Sequence, residues 1–326
     1  MGIKETCKKI IPYSIKILIR NTLFFFHFPI KHIDVYLNYI FHEHDLFKYN
    51  ISIVAMVRNE GAYIKEWLEY HKLIGVDKFI IYDNNSTDNL KEILQPYIYA
   101  GVVDYIFYPK TQAEFEKKKK TVEYWAFQAY AYNDAIKKHR NKSKWIGFID
   151  IDEFIVPVKK DHLIDVINEI KNNLPKGKTF VGLSINWVMH GFSGHQEKPE
   201  GLVIENFTRN DGIHEGIKSI VNPRTVIQYQ VHAALHFFHI EGLNEQGKEA
   251  YIPNVSNSSI NKIRINHYYT KSYDEYAQKI IANRAGWPKA DKYELPVFDP
   301  NYLSHNEDMI IARFIPLLKQ RLSENL

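Results

Sequence analysis

The sequence is short of the features that mark several large classes of protein. Its 326 residues include one cysteine, Cys7, so no disulfide can form within the chain, and a reducing compartment fits this composition. The formal net charge is only +4, too small an excess to indicate binding to nucleic acid. The chain shows no internal repeat and no low-complexity linker. With 45% hydrophobic residues, its length instead fits one or two globular domains with a sizeable core.

The amino-terminal segment, residues 1–48, lacks an uncharged apolar run of the ~20 residues that span a bilayer, because Lys16 and Arg20 interrupt it. It also lacks the apolar core and small-residue cleavage site of a secretory signal. Its basic and aromatic residues fit either a helix on an anionic membrane surface or a helix packed on the main domain. The opening MGIKET also matches the short myristoylation pattern. We expect a cytoplasmic protein, which in the first alternative is peripheral on the cytoplasmic face of the membrane.

What the sequence does contain is a regular alternation of predicted strands and helices over residues 49–160. Four apolar runs predict strands: ISIVAMV (51–57), VDKFIIYD (76–83), VVDYIFYP (102–109) and KWIGFIDIDEFIVP (144–157). Segments of helical period separate them, which predicts an α/β fold with a Rossmann-like, mostly parallel central sheet and helices on both faces. The alternation fades afterwards, and we expect residues 161–326 to complete the sheet and form the second wall of a cleft.

Polar side chains follow the predicted strands at the edge where ligands bind in parallel α/β sheets. Three such groups come from three separate segments: Arg58, Asn59 and Glu60; Asp83, Asn84 and Asn85; and Asp150, Asp152 and Glu153. Their convergence is a stronger indication of a site than any one of them.

The acidic pair within the fourth predicted strand indicates a cation site. If this segment is extended, Asp150 and Asp152 point to the same side, and two neighbouring carboxylates repel unless a cation lies between them. Oxygen ligands of this kind suit Mg²⁺ or Mn²⁺, which often bind through one or two carboxylates plus substrate phosphates. The alternative is a pair of surface acids or helix N-caps at a strand end.

Taken together, these motifs resemble the glycosyltransferases of families 2 and 92, which have the GT-A nucleotide-sugar fold. YDNNSTD resembles their acidic Ser-Thr-Asp turn, and DID resembles their Asp-x-Asp metal motif. INWVMHGFSGH, KSIVNP and INHYYTKSYDEY resemble later segments of the family 92 branch. The resemblance covers roughly residues 51–279.

The resemblance implies a donor site for a nucleotide-diphosphate sugar, of which a UDP-sugar is the first expectation. Ala55, Val57, Arg58 and Glu60 would line the nucleotide pocket, and Asp83 would bond the base or ribose. Asp150 would contact the ribose or a metal-bound water, and Asp152 would hold the cation that offsets the charge of the leaving diphosphate.

Residues after the acidic pair include further candidates for metal, phosphate and acceptor binding. His267 is a candidate third metal ligand or a core histidine. Lys218 and Lys271 contact phosphate or are solvated. Trp187, His190 and Gly191 would face the acceptor, a glycan or lipid-linked sugar, and would make the carboxy-terminal half the acceptor side. The general base on the acceptor hydroxyl is sought among three acids, Glu153, Asp211 and Glu215.

The sequence is thus interpreted as a metal-dependent glycosyltransferase of surface polysaccharide biosynthesis. A nucleotidyltransferase is the first rival, although the loop VRNEGAY has one glycine and no lysine, unlike the Gly-rich basic loop of that class. A non-catalytic sugar-binding protein of the same fold is the second rival, and the presence of Asp83, Asp150 and Asp152 speaks against it.

Overall fold

The computed structural model describes residues 29–42, 45–111, 126–237, 242–250, 258–281 and 297–324. Most of the predicted amino-terminal segment, with Cys7, therefore lies outside the described residues. Within the described part of the chain, one nine-stranded sheet forms the centre of the molecule and a two-stranded sheet accompanies it. Eight helices are named α1 to α8 below.

The first half of the sheet contains four strands that alternate with helices. The elements up to this point are α1 (Pro29–Phe41), β1 (Tyr49–Val57), α2 (Gly61–Leu73), β2 (Lys78–Asp83), α3 (Leu90–Tyr99), β3 (Val103–Phe107), α4 (Ala126–His139) and β4 (Ser143–Phe148). The strands run parallel in the order β3, β2, β1, β4. Gly75, at φ +94°, adopts the left-handed conformation that commonly follows the end of a helix, here α2. The predicted α/β fold class is confirmed.

The second half of the sheet is mixed rather than parallel. Its elements are β5 (Glu153–Pro157), α5 (Leu163–Asn172), β6 (Gly182–His190), α6 (Val203–Asn206), β7 (Arg209–Val221), β8 (Val226–Tyr229), β9 (Ala234–His236), β10 (Ile263–His267), α7 (Tyr273–Ile281), β11 (Asn306–Glu307) and α8 (Ile315–Glu324). Strand β7 joins β4 antiparallel, and the order continues β6, β10, β5. The two predicted halves of the chain, 49–160 and 161–326, thus share one sheet.

The prediction of one strand over residues 144–157 is wrong. A turn at residues 149–152 divides this run into β4, which pairs with β1, and β5, which pairs antiparallel with β10 at the far end of the sheet. The apolar run is continuous because both strands are buried, so hydrophobicity does not mark the break. Asp150 and Asp152 lie in the turn and not in an extended strand.

The core has two layers because successive side chains of β1 point to opposite faces of the sheet. On one face, Ile53 packs in a cluster with Trp67 of α2 and Phe79 of β2. On the other face, Val54 packs in a cluster with Tyr132 of α4. Helices therefore cover both faces, as predicted, and hold the carboxyl ends of the parallel strands in a fixed relation.

Helix α1 packs on the two-stranded sheet β8–β9. Val35 lies in a small cluster with Ile227 and Phe237, and the ring centroid of Tyr39 lies 5.4 Å from that of Phe237. Among the described helices, none combines the length and the apolarity needed to cross a bilayer.

Candidate active site

The turn between β4 and β5 places Asp150 and Asp152 at the centre of a charged cluster. The Glu153 carboxylate closes this turn by accepting the Asp150 N–H at 2.9 Å. Tyr268, directly after β10, donates its N–H to the Asp152 carbonyl at 2.7 Å. Trp67 of α2 donates its indole N–H to the Glu153 carbonyl at 2.9 Å. The turn is thus fixed from the helix on one side and from β10 on the other.

Asp150 is paired with a buried lysine. Lys218 of β7, 1% exposed, places its Nζ 2.7 Å from Asp150 Oδ2 and 3.6 Å from Glu153 Oε2. Burial alone would lower the pKa of Lys218, but the Asp150 and Glu153 carboxyls raise it well above its usual value. Burial raises the pKa of Glu153 well above its usual range. The predicted contact of Lys218 with phosphate is wrong, since both carboxyls hold this ammonium inside the protein.

Asp152 lies between a lysine and a histidine. Lys279 of α7 places its Nζ 2.5 Å from Asp152 Oδ2, and His267 Nε2 lies 3.6 Å from Asp152 Oδ1. Burial would raise the pKa of Asp152, but Lys279 and His267 hold it well below its usual value. Burial lowers the pKa of His267 despite the neighbouring Asp152. The site therefore pairs an ionised carboxylate with a neutral imidazole, the form of histidine that binds metals.

A third lysine, Lys271, approaches this cluster from the loop before α7. Lys271 Nζ lies 3.9 Å from Glu60 Oε2 and 3.6 Å from the ring centroid of Tyr63. Burial lowers the pKa of Lys271. Its backbone has φ +51°, a left-handed conformation that costs energy for a residue with a Cβ and recurs at functional sites. Glu60 and Lys271, both predicted donor-site residues, are thus neighbours.

Trp187 forms the wall next to the cluster and is surrounded by histidines. Its ring centroid lies 4.8 Å from that of His267, 5.6 Å from His232 and 5.8 Å from His214. A Cβ at position 216 would lie 1.8 Å from this ring, so Gly216 is required where the indole crosses β7. Trp187 is partly exposed, which keeps it a candidate for contact with an acceptor sugar.

The other two predicted acceptor residues are placed elsewhere. His190 is completely buried, and its Nδ1 lies 2.8 Å from the Phe207 carbonyl. A Cβ on Gly191 would lie 1.8 Å from the Tyr302 carbonyl, so this glycine allows two backbone segments to cross. The predicted acceptor roles of His190 and Gly191 are wrong, because both residues are covered by protein.

The carboxyl ends of β1 and β2 are adjacent, as predicted. However, not all of the predicted pocket residues of β1 point toward solvent. Ala55 and Val57 point into the core, which contradicts their assignment to the nucleotide pocket, whereas Arg58 is exposed. Asp83 is the last residue of β2 and pairs with Val57 of β1. Its carboxylate accepts the Tyr105 hydroxyl at 2.5 Å and the Ser86 N–H at 2.8 Å. Its role toward the base or ribose stays a prediction.

Two of the three acids predicted as candidates for the general base have other partners. Glu153 is completely buried behind the turn. The Asp211 carboxylate lies 2.6 Å from His305 Nδ1, an exposed partner on the loop before β11. Glu215 is exposed on β7. These placements give no support to a catalytic role for Glu153 or Asp211 on an acceptor hydroxyl.

The residues present fit a divalent cation with few protein ligands. The described residues contain no group of three or more His, Cys, Asp or Glu side chains placed to hold a metal. However, the 3.6 Å between Asp152 Oδ1 and His267 Nε2 is close to the ~3 Å between neighbouring ligands of one ion with bonds of about 2.1 Å. His267 Nδ1 and Glu153 Oε1, 3.9 Å apart, are both buried without a hydrogen-bond partner. A metal-ligating histidine usually directs its second nitrogen to such a carboxyl group.

Sequence reasoning missed three residues of the cluster. Lys279 and His232 lie close to it, and Gln128 of α4 places its Nε2 3.3 Å from Asp150 Oδ1. Lys279 is one of 42 lysines and arginines, and its neighbours in sequence indicate only an amphipathic helix. Its approach to Asp152, 127 residues earlier, depends on where α7 packs.

The fold and the site define the class of this protein. It is an α/β protein with an acidic site, neutralised by lysines, at the carboxyl edge of its parallel strands. The model of glycosyltransferase family 92 matches residues 51–311, most of the chain, and the chain belongs to this family.

Curated relatives are similar over the same region. A family 92 protein of Ricinus communis is 26% identical over 234 residues, covering 71% of this chain and 37% of that protein. One of Oryza sativa subsp. japonica is 27% identical over 247 residues, covering 73% and 37%. The galactan β-1,4-galactosyltransferase GALS2 of Arabidopsis thaliana is 31% identical over 100 residues, covering 29% and 18%. The chain thus spans little more than a third of the length of the first two relatives.

Solved structures with local similarity include glycosyltransferases. Glucosyl-3-phosphoglycerate synthase of Mycobacterium tuberculosis, solved with Mn²⁺, UDP and glucosyl-3-phosphoglycerate, has 16% identity and a TM-score of 0.29, covering 55% of this chain and 58% of that one. S. aureus TarS 1-349 with UDP has 12% identity and a TM-score of 0.33, covering 74% and 68%. Similarities this low carry no argument about function.

Proposed function

We propose that this chain transfers a sugar from a nucleotide-diphosphate donor, first of all a UDP-sugar, to a glycan or lipid-linked acceptor with the help of Mn²⁺ or Mg²⁺. The observation that carries the proposal is the convergence of Asp152 and His267, on separate segments, at the carboxyl edge of the parallel strands. Membership of glycosyltransferase family 92 supports the reaction class.

Asp152 and His267 would hold the cation, and the cation would supply the positive charge that stabilises the leaving nucleoside diphosphate. Asp150 and Lys218 neutralise each other beside this position and keep the turn in place. Lys279, which contacts the Asp152 carboxylate, and Lys271, which also acts on it electrostatically, add charge that favours a bound diphosphate.

Glu153 positions His267 instead of acting on the acceptor. Its carboxyl group has one oxygen on the Asp150 N–H, and the other faces His267 Nδ1. When Nε2 binds a metal, Nδ1 carries the proton, and a shift of about 1 Å would bring this oxygen, now 3.9 Å away, to hydrogen-bond distance. Trp187 packs on the same imidazole and offers its partly exposed ring to a sugar.

Donor hydrolysis and binding test this proposal. Purified protein is incubated with a panel of nucleotide sugars, with Mn²⁺, with Mg²⁺ or with excess chelator, and the released nucleoside diphosphate and free sugar are quantified. We expect one donor to be hydrolysed only with a divalent ion. In a parallel reaction with added pyrophosphate, formation of nucleoside triphosphate and sugar 1-phosphate would indicate a nucleotidyltransferase. Donor binding without turnover, even with acceptor glycans, would indicate a sugar-binding protein.

We further propose that the protein works on the cytoplasmic face of a membrane and builds a surface polysaccharide or glycolipid. Support comes from α1, where one group of apolar side chains stays exposed although Val35 and Tyr39 pack inward. The exposed residues are Ile33, Tyr36, Leu37, Ile40 and Phe41. The sequence before α1 is rich in lysine, which suits attraction to anionic lipids.

A further inference from the structure

We propose that Lys279 is a place-holding cation, which neutralises Asp152 when no metal is bound, yields that carboxylate to the metal, and then contacts the donor diphosphate. The inference rests on the proposed function. It adds a residue that sequence motifs do not indicate and a defined exchange between two cations.

The contacts of Lys279 show how it neutralises the site. Its Nζ lies 2.5 Å from Asp152 Oδ2 and 3.0 Å from the Tyr269 carbonyl, and 4.8 Å from the Tyr269 ring centroid. The Asp152 side chain is only 13% exposed, so an unpaired carboxylate here would be costly. The lysine therefore keeps the site charge-balanced before any ligand arrives.

Two lysines neutralise the acidic turn, but only one of them is free to leave. Lys218 is 1% exposed, lies on a central strand beneath Trp187 and has two carboxyl partners. Lys279 projects from a helix, its side chain is 30% exposed, and it has one carboxylate partner. The flexible four-carbon stem of lysine allows its ammonium to move several ångströms without moving the helix.

A metal and Lys279 compete for the same carboxylate. An ion between Asp152 Oδ1 and His267 Nε2 would lie within a few ångströms of the ammonium on Oδ2, and two cations at that distance repel. A donor diphosphate brought by the metal offers new acceptors for the ammonium. Lys271 competes less directly, since its ion-pair partner, Glu60, is not a metal ligand and it acts on Asp152 only at longer range.

The test is a Mn²⁺ titration followed by electron paramagnetic resonance, with and without UDP, on wild type, K279M, K279R and K271M. Without UDP, K279M should bind Mn²⁺ about 10-fold more tightly than wild type, because one nearby like charge shifts a site by roughly a log unit or more. With saturating Mn²⁺, K279M should bind UDP about 10-fold more weakly, because a charged phosphate contact is lost. K279R, which keeps the charge, should resemble wild type in the first titration.

The matched control K271M separates this role from a general loss of positive charge. It should weaken UDP binding but tighten Mn²⁺ binding in the absence of UDP much less than K279M does, because the Lys271 ammonium pairs with Glu60 and not with Asp152. Unchanged or weaker Mn²⁺ binding by folded K279M, while wild type binds Mn²⁺ with UDP, would overturn the place-holder and leave the proposed function intact. Absence of Mn²⁺ binding by wild type, even with UDP, would overturn the metal-dependent function and the place-holder together.

Discussion

At the residue scale, the chemistry of the site depends on which carboxylate keeps its lysine partner when a metal binds. Asp150 is held by the buried Lys218, whereas Asp152 faces the His267 imidazole and Lys279, the lysine that we propose yields to a metal. Of the two acids in the Asp-x-Asp motif, Asp152 is therefore the one whose removal should affect the reaction directly.

Asp152→Asn keeps the shape of the side chain and removes the charge that would hold the metal. We expect folded protein whose donor hydrolysis falls by about 10²- to 10³-fold, the range seen when one group that stabilises transition-state charge is removed. Steady-state rates measured with Mn²⁺ test this, and Asp165→Asn, at an exposed position on α5, is the matched control. Full activity of Asp152→Asn would contradict the assignment of Asp152.

His267→Gln retains most of the side-chain volume against Trp187 but removes the imidazole. We expect Mn²⁺ affinity in the presence of UDP to fall by roughly 10- to 100-fold, as for other losses within a metal site. Calorimetric titration gives the affinity, and thermal melting of the metal-free protein gives the structural cost. A large drop in melting temperature with normal Mn²⁺ affinity would show that His267 is only a core residue.

The same residue scale shows what sequence reasoning could reach. The sequence predicts a site that contains Asp150, Asp152 and His267, because the spacing of the carboxylates and the family motifs can be read from the sequence itself. Lys279 was not predicted, because its contact with Asp152 arises from the packing of α7. The glycine-containing loop around His190 and Gly191 suggests exposure, whereas the Tyr302 backbone covers Gly191 and His190 packs against Tyr268.

At the scale of elements, the parallel half was predictable, whereas for the mixed half only its completion of the sheet was predicted and the strand order and directions were not. Strands β1 to β3 and helix α2 follow from local apolar periodicity and from breaks at residues such as Gly75. The division into β4 and β5 depends on a distant partner: β5 pairs with β10, about 110 residues later in the chain. No local pattern in the sequence distinguishes two strands separated by a short turn from one longer strand. The acidic turn that marks the break is also the site.

Helix α1 carries the prediction that belongs to this scale. Replacing Leu37 and Phe41 by serine removes two large apolar side chains, 42% and 76% exposed, without touching the inward-facing Val35. We expect binding to vesicles containing anionic phosphatidylglycerol to weaken about 10-fold or more, because each side chain contributes roughly 1 kcal/mol when it enters the interface.

Sedimentation with vesicles at low salt measures this binding. Tyr99→Ser, which removes an equally prominent apolar side chain from the end of α3, should bind like wild type. Failure of wild type itself to sediment would remove α1 as a membrane-binding element, and donor hydrolysis should be unchanged in all three proteins.

At the scale of the whole molecule, the shared sheet makes the site sensitive to global stability. The acidic turn lies between β4 in the parallel half and β5 next to β10, so its geometry requires both halves to be assembled. Helix α2 secures this arrangement: Trp67 and Tyr70 donate hydrogen bonds to carbonyls of β5. His71 belongs to the same contact.

His71 predicts how stability changes with pH. It is completely buried, its Nδ1 lies 2.8 Å from the Trp67 carbonyl, and its Nε2 accepts the Ile155 N–H at 3.3 Å. A proton on Nε2 would face that N–H, and burial lowers the pKa of His71 to about 3. In the unfolded chain His71 has an ordinary pKa of about 6.5. Below that pH the unfolded chain therefore binds a proton on His71 that the folded protein does not bind. Through His71, the free energy of unfolding does not change with pH above about pH 6.5, and it decreases as the pH falls from about 6.5 toward 3.

Between pH 6.5 and pH 5, wild type should therefore lose about 2 kcal/mol more of its free energy of unfolding than His71→Gln, which cannot be protonated. Urea denaturation at the two pH values measures the difference, and it does so whatever the absolute stability of the variant. His162→Gln, at an exposed histidine, should show the wild-type dependence on pH. If wild type and His71→Gln lose the same amount, the folded protein accepts the proton on His71, and the hydrogen bond from Ile155 does not hold the imidazole neutral.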